Sequence, residues 1–195
     1  MKSRRVDFLF VGVGGQGIVL ASDVVAALGL AIGYDVKKSE IHGMSQRGGS
    51  VESFVRWGDT VASPVAERGR VDLLVGFELL EAARWANFLR PGGVAILNRQ
   101  RIPPLSVAGG QAVYPSEDAV AELYRSRTDC AHLVDGLGIA QGLGSPNIVS
   151  VVLLGVLSRE LDVPAEAWLD VVRVRVPLRF RELNERAFWA GRQQS

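Results

Sequence analysis

Residues 6–17 read VDFLFVGVGGQG, and this stretch indicates how the chain folds. Residues 6–11 form a compact, mostly apolar run that ends in glycines, which is typical of a buried parallel strand. The apolar spacing that follows predicts a helix over 16–32, and 34–40 looks like a second strand. The chain therefore begins with a strand, a glycine turn, a helix and a strand, a unit whose parallel crossover should be right-handed.

Strands and helices alternate along the rest of the 195 residues. Strands are expected over 51–57, 71–77, 94–97, 112–114 and 133–135, and helices over 78–89, over 116–127 and through most of the chain from 147 onward. This order predicts an α/β fold: a doubly wound, mostly parallel, Rossmann-like sheet with helices on both faces and a helical C-terminal part. We expect residues 1–195 to form a single domain. Ligands of such sheets bind where the strands end.

Composition narrows the classes of function. Lys and Arg total 22 against 21 Asp and Glu, which gives a formal charge of +1 and argues against a nucleic-acid partner. The single cysteine, Cys130, cannot form an internal disulfide or supply a cysteine-ligated iron–sulfur cluster, and we expect an ordinary packed thiol without a metal. The apolar run near the N-terminus is too short to span a bilayer, so we expect a cytoplasmic protein with no membrane partner.

The glycine turn fits the motif G-x-G-x-x-G between a strand and a helix. Glycines allow a ligand to approach the backbone closely, and a helix start directs free N–H groups toward an anion, so this turn is a candidate phosphate or nucleotide site. An alternative is that the glycines only allow the helix to pack closely on the strand. Both interpretations stay open.

The loop that follows the second strand is unusually rich in polar and glycine residues. Arg47 has the side chain to hold a carboxylate or phosphate through two hydrogen bonds, whereas His42 on its own favours a structural role over proton transfer. An ordinary polar loop whose side chains satisfy one another is the alternative. No residue is assigned a catalytic role. The candidate cofactor-binding residues are Gly12, Gly14, Gly15, Gln16, Gly17, Glu40, His42, Ser45, Gln46, Arg47, Gly48 and Gly49.

Two further expectations concern structure. Glu78 directly follows a strand and is expected to stabilise the start of the next helix with its carboxylate, rather than reach the ligand crevice. The C-terminal helix, with Leu183, Ala187 and Phe188, is expected to cover the core rather than to dock on another chain.

Several motifs along the chain occur together in one known family. They are GVGGQG at 12–17, SEIHGMSQRGGSVESFVRWG at 39–58, VDLLVGFE at 71–78, LRPGG at 89–93, NRQRIPP at 98–104, GSPNIV at 144–149 and ELNERAF at 182–188. In this combination the chain resembles the gamma subunits, or gamma domains, of 2-oxoacid:ferredoxin oxidoreductases. Within that family it is most similar to the small (beta) subunits of the indolepyruvate:ferredoxin oxidoreductases.

The resemblance implies a noncatalytic subunit that supports oxidative decarboxylation of arylpyruvates to acyl-CoA with reduction of ferredoxin. It also implies a large partner subunit that carries thiamine diphosphate, Mg²⁺ and [4Fe–4S] clusters, with ferredoxin reached through the complex and coenzyme A at the glycine loop. The isolated chain would be inactive. Two alternatives stay open, a free-standing NAD(P)-binding oxidoreductase that uses the GVGGQG loop, and a purely structural partner whose loop binds nothing.

Overall fold

The computed structural model describes residues 5–43 and 49–194, which form a six-stranded sheet covered by helices. The strands are β1 (Val6–Val13), β2 (Asp35–His42), β3 (Ser50–Gly58), β4 (Val71–Gly76), β5 (Leu89–Asn98) and β6 (Ala131–Val134). The helices are α1 (Ile18–Ala31), α2 (Leu79–Trp85), α3 (Leu105–Ala108), α4 (Glu117–Arg125), α5 (Gly136–Gly142), α6 (Val149–Leu157), α7 (Ala165–Arg175) and α8 (Arg181–Arg192).

The strand order is β2-β3-β1-β4-β5-β6, and β3 alone runs against its neighbours. β1, β4, β5 and β6 pair in parallel, which confirms the mostly parallel sheet. β2 and β3 form a hairpin, with Asp35 opposite Gly58 and His42 opposite Val51. β3 lies between β1 and β2 in the sheet. The two strands that α1 connects are therefore parallel but not hydrogen-bonded to each other.

Each face of the sheet carries its own apolar core, as predicted for helices on both sides. α1, α6, α7 and α8 pack on one face around Phe8, Phe10 and Trp57, whereas α2 and α4 cover Leu9 and Val11 on the other. This alternation follows from the period of two in β1, which sends successive side chains to opposite faces. Among the described residues, no helix is long and apolar enough to cross a membrane.

The C-terminal helix contributes to the first core, as expected. Ala187 and Phe188 on α8 are fully buried. α8 crosses α6 so closely that a Cβ built on Gly155 would lie 2.1 Å from the carbonyl oxygen of Phe188, and one built on Gly191 would lie 2.0 Å from that of Val152. The two helices therefore meet through their backbones at a pair of glycines.

Three predictions from the sequence were wrong. The helix expected over 78–89 ends at Trp85, and β5 begins at Leu89, before the start of the strand expected over 94–97. The strand expected over 112–114 does not form, because Tyr114 instead packs into the second core with its hydroxyl on Glu78. Cys130 is exposed rather than packed, since it precedes the short edge strand β6.

Candidate functional site

The glycine turn lies at the carboxyl end of β1, as predicted. Gly15 and Gly17 have φ values of +102° and +82°, a backbone conformation that favours glycine. A Cβ on Gly17 would lie 2.8 Å from the Ser150 hydroxyl oxygen, whereas one on Gly15 would have no heavy atom within 4 Å. A Cβ on Gly12 would lie 2.7 Å from both Gln16 and Phe77. Gly12 and Gly17 thus allow close packing, and Gly15 faces open space.

A cavity of about 650 Å³ opens beside the turn on the α1 face of the sheet. Of the predicted residues, Gly14, Gly15, Gly17 and His42 line this cavity. The other described residues that line it are Ile18, Val19, Gly43 and Val51. The structure therefore brings the glycine turn and the start of the polar loop to one site.

The Gln16 side chain holds the glycine turn in place through three hydrogen bonds. Its Oε1 accepts a hydrogen bond from the Val13 N–H at 2.8 Å, and its Nε2 donates to the Phe77 carbonyl and to Gln100 Oε1, both at 2.9 Å. This one side chain consequently fixes the ends of β1 and β4 relative to the loop after β5. Gln100 was not among the predicted site residues, and its role depends on a contact between distant parts of the chain.

Glu40 and His42 lie on β2, which β3 separates from β1. The Glu40 carboxylate pairs with Lys38, which also binds Asp23 of α1. His42 has a side chain that is 55% exposed, and its Nε2 lies 4.0 Å from Glu40 Oε2. In a dinucleotide-binding sheet the acidic residue that binds ribose follows the strand next to β1. Here β3 lies between β1 and β2, so Glu40 is one strand further from β1, a difference of about 5 Å.

The hairpin end is closed on both sides by backbone hydrogen bonds. The Gly43 N–H donates to the Ser50 carbonyl at 2.9 Å, and the Gly14 N–H donates to the Gly49 carbonyl at 2.9 Å. Gly49 therefore connects the polar loop directly to the glycine turn. The other predicted members of this loop, Ser45, Gln46, Arg47 and Gly48, lie outside the described residues.

The start of α1 presents donors to the cavity. Residues 18–21 are apolar, and among the described residues no side chain caps this helix. The Ala21 N–H bonds the Gly17 carbonyl at 3.0 Å. The preceding N–H groups of the first turn are the ones that helix geometry leaves without an intrahelical partner. An anionic group would satisfy these donors and the helix dipole together.

A second set of buried polar groups lies at the same edge of the sheet, on the face that α2 covers. The Glu78 carboxylate is buried and accepts hydrogen bonds from the Glu81 and Ile102 N–H groups, each at 2.9 Å, and from the Tyr114 hydroxyl. Burial and the adjacent carboxylate raise the pKa of Tyr114 above its ordinary range. Glu78 thus caps α2, as expected. Ser50 bridges Glu52 at 2.9 Å and Glu81 at 2.7 Å, a contact that sequence reasoning missed.

The fold and the turn place the chain among α/β proteins with a glycine-rich loop at the carboxyl edge of a mostly parallel sheet. More specifically, it belongs to the pyruvate ferredoxin/flavodoxin oxidoreductase family, whose model matches residues 7–194. The resemblance stated from the motifs is thereby confirmed.

The relatives it matches agree along nearly their whole length. The chain is 36% identical to the indolepyruvate oxidoreductase subunit IorB of Pyrococcus horikoshii over 191 residues, which is 96% of this chain and 95% of the relative. It is also 36% identical to the subunit of the same name from Archaeoglobus fulgidus, covering 98% and 96% of the two chains. A crystal structure of a keto/oxoacid ferredoxin oxidoreductase gamma subunit from Geobacter sulfurreducens has the same fold, with a TM-score of 0.70, 24% identity and 95% coverage of both chains.

Proposed function

We propose that this chain is the small, noncatalytic subunit of an indolepyruvate:ferredoxin oxidoreductase. The observation that carries the proposal is the 36% identity to curated subunits over nearly their full length. In the complete reaction, an arylpyruvate and coenzyme A give an acyl-CoA and CO₂, and the two electrons released reduce ferredoxin. The chain acts as one domain within a cytoplasmic complex, where it has access to coenzyme A and ferredoxin.

The redox groups of this reaction belong to a large partner subunit. A cysteine-ligated cluster needs several thiolates, and this chain has one cysteine, which is exposed. Among the described residues, no group of three or more His, Cys, Asp or Glu side chains is placed to hold a metal ion. The residues of this chain therefore do not fit an iron–sulfur cluster, and we assign thiamine diphosphate, Mg²⁺ and the [4Fe–4S] clusters to the partner.

The proposed role of this chain's own residues is to bind a phosphate-bearing part of coenzyme A at the glycine turn. The N–H groups at the start of α1 supply donors, and Gly15 leaves the approach to the backbone open. The cavity of about 650 Å³ has the size of a small-molecule site. His42 lies at its wall, and Gln16 and Gly12 support the turn from behind.

The subunit assignment is tested by capturing the tagged chain after co-expression with its candidate large subunit. Iron, thiamine diphosphate and the mass of the partner are measured on the captured sample, together with arylpyruvate-dependent reduction of ferredoxin. We expect a cluster-bearing partner and activity in the complex alone. Recovery of this chain without a partner and without iron would contradict the assignment.

The coenzyme A site is tested in the assembled complex with Val19→Glu and its neutral control Val19→Gln. Val19 lines the cavity in the first turn of α1 and is 38% exposed, so both side chains are tolerated by the fold. The new carboxylate repels a phosphate, and we expect KM for coenzyme A to rise about tenfold in Val19→Glu alone. Equal KM values in the two variants would show that coenzyme A does not bind in this cavity. The subunit assignment would not be affected.

The relatives favour this assignment over a free-standing NAD(P)-dependent enzyme. The ion pair of Glu40 with Lys38, and the strand between β2 and β1, also separate this chain from the dinucleotide-binding arrangement. Titration of the isolated chain with NADH and NADPH provides the direct comparison. We expect no saturable binding of either nucleotide.

A further inference from the structure

A second cleft lies at the opposite end of the sheet from the glycine turn, where β1, β4 and β5 begin. It has a volume of about 840 Å³, and its described lining includes four arginines, Arg5, Arg56, Arg70 and Arg90. The length of β1 separates it from the glycine turn, because the cleft contacts residues 5 and 7 and the turn begins at residue 12. Its chemistry is therefore independent of the coenzyme A site proposed above.

Arg56 forms a fixed part of the cleft wall. Its side chain is only 9% exposed, its Nε donates to Asp7 Oδ1 at 2.9 Å, and its Nη1 donates to the carbonyls of Ser63 and Val65 at 2.7 and 2.9 Å. These bonds hold the guanidinium in one orientation and leave Nη2 without a partner among the described residues. A preorganised guanidinium loses little side-chain entropy when it binds a ligand.

The acidic residues of the cleft do not balance its cations. Asp7 is shared between two arginines, with Arg5 Nη2 at 2.6 Å from Asp7 Oδ2. Its carboxylate is almost fully buried, and this loss of water raises the pKa of Asp7 above its ordinary range although the Arg5 guanidinium acts to lower it. One carboxylate thus serves two arginines.

The other charged residues of the cleft are Glu67, Arg70, Asp72 and Arg90. Arg90 Nε donates to Asp72 Oδ1 at 2.6 Å, and Asp72 Oδ2 accepts the Asp7 N–H at 2.8 Å. Arg70 is exposed, and no carboxylate of the described residues lies within 4 Å of its guanidinium. Glu67 is the third acidic residue of the lining. Among the described residues of the lining, four guanidinium groups therefore face three carboxylates, and Asp7 and Asp72 already contact Arg5, Arg56 and Arg90.

We propose that this cleft binds a diphosphate or triphosphate group. Arginine matches phosphate oxygens through paired, charge-assisted hydrogen bonds, and the cleft offers several guanidinium edges around one space. The volume of about 840 Å³ accommodates a group larger than a single phosphate. Such a group could belong to an inorganic diphosphate or to a nucleotide, and comparing the binding of pyrophosphate with that of ADP distinguishes the two.

The test measures binding of pyrophosphate and of ADP to the full chain by calorimetry at fixed ionic strength, with Arg70→Gln as the variant. Arg70 is exposed on a loop, so its replacement leaves the buried ion pairs intact. The control is Arg68→Gln, which makes the same change of charge two residues away at a side chain placed over the Phe88 ring, outside the cleft. We expect Arg70→Gln to weaken pyrophosphate binding about tenfold and Arg68→Gln to leave it unchanged.

If ADP binds more tightly than pyrophosphate, the cleft recognises a nucleotide. If the two bind equally, it recognises the diphosphate group alone. Absence of binding at millimolar concentrations, or equal weakening in the two variants, would overturn the proposal. Loss of pyrophosphate binding upon assembly with the large subunit would also overturn it, since the cleft would then be a docking face for a protein. Val19→Glu should leave this binding unchanged and so separates the cleft from the coenzyme A site.

Discussion

The crossing of α6 and α8 predicts that Gly155→Ala destabilises the protein although alanine is the better helix former. The added methyl would lie 2.1 Å from the Phe188 carbonyl oxygen, whereas ordinary contact begins at 3.4 Å. Because the obstructing atom belongs to the backbone, α8 must shift by about 1.3 Å, which disturbs the buried Phe188. Overpacking of this kind costs up to about 3 kcal/mol, and the higher helix propensity of alanine returns about 1 kcal/mol.

We therefore expect a net loss of about 2 kcal/mol, which corresponds to a decrease in Tm of about 4–8 °C for a chain of this size. Urea unfolding and calorimetry of the purified chain measure it. The matched control is Gly142→Ala, at the last residue of α5, where a new Cβ meets nothing within 4 Å. If Gly155→Ala is as stable as this control, the close crossing is not a constraint and the reasoning fails.

Three further predictions concern the sheet edge and the last helices. Gly17→Ala should lower the free energy of unfolding by about 1–2 kcal/mol more than Gly15→Ala in urea titrations, because both have positive φ but only Gly17 has a close neighbour. Tyr114→Phe removes a donor from a buried carboxylate and should cost about 1–3 kcal/mol by the same assay; a neutral effect would show that water replaces the hydroxyl. The Arg173 guanidinium lowers the pKa of Glu185, so its stabilising effect is present above the ordinary glutamate pKa of about 4.3 and is lost as the pH falls through the folded-state value. The difference in Tm between wild type and Glu185→Gln should accordingly shrink at acidic pH, and a constant difference would contradict this coupling.

The elements defined by local pattern could be predicted from the sequence. β1, the glycine turn and α1 follow from adjacent residues, and so does the capping of α2 by Glu78. The direction of β3 could not be predicted, because an apolar strand has the same pattern in either direction. Its insertion beside β1 determines where Glu40 lies.

The sequence could predict where several of the candidate residues lie, but not the hydrogen bonds that connect them to the rest of the chain. Gly14, Gly15, Gly17 and His42 line one cavity, because the glycine turn follows β1 and His42 ends β2, and both strands end at the same edge of the sheet. The partners of Gln16 on β4 and after β5 depend on tertiary contacts that no local spacing encodes. The strand expected over 112–114 failed for a similar reason, because a buried hydrogen bond outweighed the local preference.

The place of β3 in the sheet also affects the order in which the chain folds. β1 finds its two neighbours only after a long stretch of chain has been made, since Val6 pairs with Trp57 and Phe8 with Leu73. The β2–β3 hairpin, by contrast, closes between His42 and Val51, and local hairpins form within about 1–10 μs. Closing the longer loops is slower because their ends are further apart along the chain. During synthesis on the ribosome we therefore expect the β2–β3 hairpin to form before β1 pairs with β3 and β4.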